Sequence, residues 1–380
     1  MRIFFYEIKR LMRMPILWGL LVVFIGFNVF MVYTELGYRD IREDTFGIYD
    51  LILSRSSNLD TDNQTSISQD KNEYEKMYDD YIRDYICIYD RLDMHGVKEM
   101  KENMLNFHPT GAYKTFIDRN YDKLNLRVAE IIESGDYRAD FYPGDIFKVH
   151  KRLYTLLKII SIEAIIITCL SILYIMDIDR LCDTRSLVCS SKLGRSSIII
   201  KFYAGLLFGT LQCAILFSTG ICAFVIFTPL SKLWGIPVSS AMVMESSGLW
   251  EYPFITFVRL DIGTELLLAI TSVIILNALL GLISGAVQLF THNSYISMLL
   301  VSLGFVALLA APLAARSQTV FKTAVLLNPA VMWQYCGRWF IEHNPALSFA
   351  WSEFWTIGIW STIGIVAFML GRHRLYQKDF

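Results

Sequence analysis

Glu163 stands inside a long apolar run, where an acidic group is costly and by default marks a functional site. Asn28, Gln212, Asn277 and Gln288 are the other polar groups in such runs, each able to hold a neighbouring helix or a passing ligand. Lys158 lies about a turn and a half before Glu163, so a local partner near a membrane interface is the plainer role for that carboxyl. The second concentration of chemistry is the stretch Asp177 to Lys201, a charged island between two apolar runs. Enzyme motifs are missing: there is no GxxxxGK[ST], no HExxH and no GxSxG, and the six histidines are dispersed. The seven cysteines show no CxxC and no Cys/His cluster, which argues against a zinc site or a disulfide framework. Cys169, Cys182, Cys213 and Cys222 lie in or beside apolar runs and read as small buried hydrophobes. No catalytic residue, metal ligand or cofactor is therefore expected in this chain.

The elements that must position these groups are membrane helices. Hydrophobic residues make up 54% of the 380, and aromatics 14%, above the share in an ordinary globular chain. The expected fold is an all-α integral membrane protein with six transmembrane helices, an N-terminal interfacial helix and a mostly helical extracytoplasmic domain between spans 1 and 2. Residues 1–15 form the cytoplasmic interfacial helix, with Phe4, Phe5, Ile8, Leu11 and Met12 at helical spacing and Arg2, Lys9, Arg10 and Arg13 largely opposite. Span 1 is 16–34, about 28 Å of helix, and no small-residue cleavage site follows it.

Residues 35–152 form the extracytoplasmic domain, with 24 acidic against 17 basic residues, leaving 12 acidic and 18 basic for the rest of the chain. Two amphipathic helices are predicted there, one on Tyr74, Met77, Tyr81, Tyr85, Ile88 and Leu92, the other on Ile117, Tyr121, Leu124, Val128 and Ile131. Residues 153–380 hold spans 2 to 6, at about 156–176, 202–227, 263–290, 296–311 and 355–370. Trp333, Tyr335, Trp339 and Phe340 mark outer interfacial helices at about 313–353. The predicted inner side carries 4, 5 and 3 Lys/Arg at the N-terminus, the island and the C-terminus, which places both termini in the cytoplasm. Gly281 and Gly285 make a GxxxG, a motif common by chance in such runs.

The island resembles the membrane subunits of ABC-2 type exporters, in which a span ends in a cytoplasmic acidic turn, followed by Gly-Thr, a short amphipathic helix, an Arg, and a Lys opening the next span. Here Asp179 takes the acidic position, Asp183-Thr184 replaces Gly-Thr, Arg195 follows Thr184 by eleven residues and Lys201 opens the next run. The first helix, YEIKRLMRMPILWG, is similar to the family's N-terminal connecting helix. The resemblance covers nearly all of the chain except the outer domain. It implies that Leu181 to Arg195 is a coupling helix that docks into a separate ABC ATPase subunit through residues such as Arg185, Lys192 and Arg195. ATP and Mg then belong to that partner. Taken as topology signals, the same basic residues need do no more than enforce orientation or touch anionic lipid.

The expected function is accordingly the permease subunit of an ABC exporter in the bacterial plasma membrane. Its expected partners are the ATPase, a second permease copy or a related permease, membrane lipids, and an amphipathic peptide or small-molecule cargo, with no nucleic acid. An antimicrobial peptide or bacteriocin is the expected cargo because the outer domain is acidic. A membrane receptor with an extracytoplasmic ligand-binding domain, or a lipid or polysaccharide exporter, remain the alternatives.

Overall fold

A computed structural model describes residues 2–34, 111–134, 144–190, 194–227, 234–235, 237–240, 242–244, 251–253, 255–314, 320–337, 339–340 and 350–377. Six of its helices are long and apolar enough to cross a membrane: Pro15–Val32, Arg152–Leu181, Ser196–Phe227, Ile262–Thr291, Ser294–Ala314 and Ser352–Gln377. The chain is therefore a multi-pass membrane protein by architecture.

Helix α1 (Arg2–Met12) meets α2 (Pro15–Val32) at a break where Pro15 takes a first-turn position, in which its missing N–H costs nothing. The inward face of α1 is not the apolar stripe that the spacing suggested. Its buried residues are Glu7 and Leu11, one turn apart, while Phe5, Tyr6 and Met12 are exposed. Leu11 packs with Leu17, Ile175, Ile178 and Phe208, so the helix is held against the bundle on the one face that carries an acid.

Helix α3 (Ala112–Ser134) matches the second predicted amphipathic helix, and all five of its periodic residues, Ile117, Tyr121, Leu124, Val128 and Ile131, are buried. They share a core with Val238, Ile255, Leu260, Trp339 and Phe340, so α3 closes one end of the helix bundle. The predicted helix on Tyr74 to Leu92 lies outside the described residues.

The longest element is α4 (Gly144–Leu181), whose 38 residues extend about 57 Å. It links the α3 end of the bundle to the island and is buried along most of its apolar length. A six-residue α5 (Arg185–Ser190) joins it to α6 (Gly194–Phe227). The two long helices run antiparallel in close contact. A Cβ on Gly209 would stand 2.7 Å from the Thr168 Cα, and one on Gly205 2.8 Å from the Ile172 Cα, so only glycine admits this approach.

After a 3-10 turn at Val238–Ser240, β1 (Met242–Met244) pairs antiparallel with β2 (Glu251–Pro253), with Val243 opposite Tyr252. This ribbon of two three-residue strands is a small local addition to an otherwise helical fold, which agrees with the all-α expectation. The local sequence explains it: the opposed pair Val243 and Tyr252 is β-branched and aromatic, in a stretch with no helical period, and Pro253 stands at the strand end, where its missing N–H is tolerated.

Helix α7 (Ile262–Thr291) ends at His292, which adopts the left-handed conformation, and α8 (Ser294–Ala314) follows at once. The GxxxG of α7 is a packing site after all, because a Cβ on Gly285 would enter the Phe202 ring of α6. Within the predicted interfacial segment lie α9 (Val320–Leu326) and α10 (Pro329–Gln334). Asn328 caps α10 by accepting from Ala330 N at 3.0 Å and Val331 N at 2.9 Å. The last helix, α11 (Ser352–Gln377), carries Glu353 in its buried first turn, where it accepts the Phe340 N–H at 3.0 Å. Hydroxyls along the helices, such as Thr210, Ser284 and Thr356, donate to carbonyls four residues back, which satisfies them without a partner helix.

Candidate functional site

The charged island begins with the end of α4. Asp177 and Asp179 are two residues apart, about 200° around a helix, so their side chains leave on opposite sides. Both are buried, at 2% and 7% exposure.

On one side, Asp177 accepts from Arg180 Nε at 2.8 Å and Nη2 at 2.6 Å. It also accepts from the backbone N–H of Ser294 at 3.0 Å and from its hydroxyl at 2.7 Å, and so caps the first turn of α8 from another helix. Arg180 reaches on to Asn293 Oδ1 at 3.3 Å. On the other side, Asp179 accepts from the Lys201 ammonium of α6, which is itself 2% exposed. Glu7 Oε1 lies 3.9 Å from the same ammonium, and Glu7 Oε2 lies 3.8 Å from Arg10. Burial pushes the Glu7 carboxyl above the usual carboxylate range, while Lys201 and Arg10 pull it back only in part.

Helix α4 is stopped by a reversal at Asp183, whose φ of 54° lies in the left-handed region that favours glycine. Thr184 N donates to the Asp179 carbonyl at 2.8 Å and Asp183 N to the Arg180 carbonyl at 3.1 Å, the paired bonds of a Schellman ending. That ending keeps Leu181 in α4, so that of the stretch Leu181 to Arg195, implied as a coupling helix, the described separate helix is Arg185–Ser190 and Arg195 already belongs to α6. Asp183 and Thr184 are exposed, as is Leu187 on α5 at 74%. Arg185 opens α5 and Arg195 is the second residue of α6, but neither side chain is among those described, and Lys192 lies outside the described residues.

The intramembrane polar groups fall into separate pairs. Asn28 Nδ2 donates to Glu163 Oε2 at 2.7 Å, joining α2 to α4. Lys158 is not its partner: that ammonium donates to the Gln334 carbonyl at 2.8 Å and lies over the Trp333 ring. The expected local ion pair fails because the end of α10 brings a carbonyl and an aromatic face to Lys158. Asn277 Nδ2 donates to Thr168 Oγ1 at 3.0 Å, and Gln288 Oε1 accepts from Ser297, which joins α7 to α4 and to α8 respectively. Glu163, Asn277 and Gln288 thus share no common site with one another, and of the three Gln288 reaches the island, through Ser297 and Asn293 to Arg180.

Sequence reading missed Glu7, Glu265 and Glu353. Glu7 is the lone acid among the basic residues of the first helix, which was the available signal. Glu265 is 1% exposed in the first turn of α7. Of the four cysteines expected to be buried, Cys169 and Cys213 are, and Cys182 and Cys222 are exposed. Burial pushes the Cys336 thiol up to about 12, which makes it a poor nucleophile. Among the described residues, no group of His, Cys, Asp and Glu is placed to hold a metal ion.

No family model, curated protein or solved structure matches the chain. The candidate site therefore rests on its own geometry. It is a joint: buried charged groups link three helices at the end of α4, and a short helix with Leu187 exposed stands between α4 and α6.

Proposed function

We propose that this chain is the permease subunit of an ABC exporter, driven by a separate ATPase that docks on α5. The single observation that carries the proposal is the joint at the island. A short helix with Leu187 exposed stands between two long apolar helices, whose ends are tied to each other and to α1 by Lys201, Asp179 and Glu7, so a displacement of those ends is shared among the three helices. The left-handed Asp183 gives further support, because the exporter pattern has a glycine at that position and only a residue tolerant of positive φ can serve there. In this proposal the joint and both termini face the bacterial cytoplasm, and α3 belongs to an extracytoplasmic domain. Two copies, or one copy with a related permease, move an amphipathic cargo outward, and the acidic outer segment suits a cationic antimicrobial peptide.

Co-purification from the native host tests the proposal, with an ATP-hydrolysing subunit expected in the complex. Charge reversal at Arg185 and Arg195 is expected to weaken that association. If no nucleotide-binding subunit is recovered and the reversals change nothing, the chain is not an exporter permease. A panel of cationic peptides, lipids and drugs then addresses the cargo: stimulation of ATPase by peptides is expected, and a response to lipid alone would sink the peptide assignment.

A further inference from the structure

We infer that the end of α4 is a two-sided clamp that divides any displacement of α5 between two separate helix groups. This rests on the proposed role of α5 as the contact for a driving partner. Asp179 works on the first side, through Lys201, on α6 and α1. Asp177 works on the second side, through Ser294, on α8.

The second arm has consequences because of how α8 is held. Only Ser297 of its 21 residues is buried in the chain, and apart from Met298 and Phe305, which pack on the α4–α7 core, with Phe305 against Trp333, few of its side chains fix the helix. Polar contacts near its ends hold it as well. At one end Asp177 caps it, Asn293 Oδ1 accepts from Tyr295 N at 3.0 Å, and Ser297 donates to Gln288. Toward the other end the Leu308 carbonyl accepts from Asn328 at 3.2 Å. The first turn of α8, ahead of that packing, is therefore set by its cap. Asp177 carries two hydrogen bonds from Ser294 and two from Arg180, so it cannot shift with α4 without drawing the start of α8 or breaking charge-assisted bonds. Asp177 is thus a positioning residue for α8, and Asp179 for α1 and α6.

Amide hydrogen exchange on the full chain tests the clamp. In the chain alone, Asp177→Asn is expected to speed exchange at amides 294–297 roughly tenfold and to leave amides 3–11 unchanged. Lys201→Met is expected to do the reverse. Ser294→Ala and Glu7→Gln, which remove less from each side, should reproduce the two patterns at smaller amplitude if the stronger variants do not fold. Loosening of both segments by either substitution, or of neither, overturns the two-sided arrangement. In the complex with the ATPase, an ATP-dependent change at amides 294–297 is expected to vanish in Asp177→Asn while the change at amides 3–11 survives; persistence of both overturns the division of movement. Should no ATPase assemble, the proposed function falls, and the chain-alone comparison still decides the clamp.

Discussion

The Asn28 amide donates to the Glu163 carboxyl across 2.7 Å, although 135 residues separate them in the chain. Asn28 is fully buried and Glu163 is 5% exposed, so α2, which buries few of its residues, is held to α4 by a polar contact in an apolar setting. Replacing Asn28 by Ala leaves Glu163 Oε2 without this donor and should cost about 1–3 kcal/mol. Asn28→Asp, which places a second carboxyl at that distance, should be worse than the alanine. Thermal unfolding in detergent checks the order; wild-type stability in the alanine variant would mean that the contact does not hold α2.

The Lys201 ammonium is the charge that meets the Asp179 carboxylate, and both groups are buried. Lys201→Met should cost about 3–5 kcal/mol by stranding that carboxylate. Adding Asp179→Leu removes the stranded group and should recover most of the loss, so a double-mutant cycle on unfolding midpoints will read a large coupling. Simple additivity of the two losses would show that the pair is not coupled.

For Glu7 the sign of the pH dependence follows from burial, which raises the carboxyl's folded-state pKa above its ordinary value of 4.5. The folded protein then binds the proton more tightly than the unfolded one. Its contribution to stability is full below pH 4.5 and is lost as pH rises through the raised value. Glu7→Gln lacks this dependence. The unfolding midpoint of Glu7→Gln minus that of the wild type should therefore increase from about pH 4 to about pH 7. A flat difference would refute the assignment; Lys201, Arg10 and Asp179 are the charged groups that face Glu7 and must be intact for the comparison.

Two glycines separate close packing from composition. Gly209 faces the Thr168 backbone, where an added Cβ would stand 2.7 Å from the Cα, so Gly209→Val should force α4 and α6 apart at a cost of about 1–3 kcal/mol or more. At Gly26 an added Cβ would meet nothing within 4 Å, and Gly26→Val should change stability by less than about 0.5 kcal/mol. Equal effects at the two sites, measured by thermal unfolding, would contradict the α4–α6 register.

Much of the architecture is legible from hydropathy and period alone. All six predicted apolar runs appear as long helices, because the removal of water from a backbone leaves the helix as the local way to satisfy every N–H and C=O. The buried face of α3 follows from residues three and four apart, a property of one helix that needs no knowledge of its neighbours. The ends were harder: α4 runs continuously from Gly144 to Leu181, past the predicted start of its span, since a polar first turn does not break a helix.

Sequence by itself determined that this protein is a set of apolar helices with a charged interruption between two of them. It also determined that Asp179 and Lys201 flank that interruption, because their types and order are local facts. Only the tertiary structure decided that Asp179 and Lys201 meet, that Glu7 turns inward beside them, that Asp177 caps α8 and that Asn28 rather than Lys158 holds Glu163. The reason is physical: a buried polar group must find a partner wherever the packed helices place one, and no periodicity within a single helix encodes which neighbour that will be.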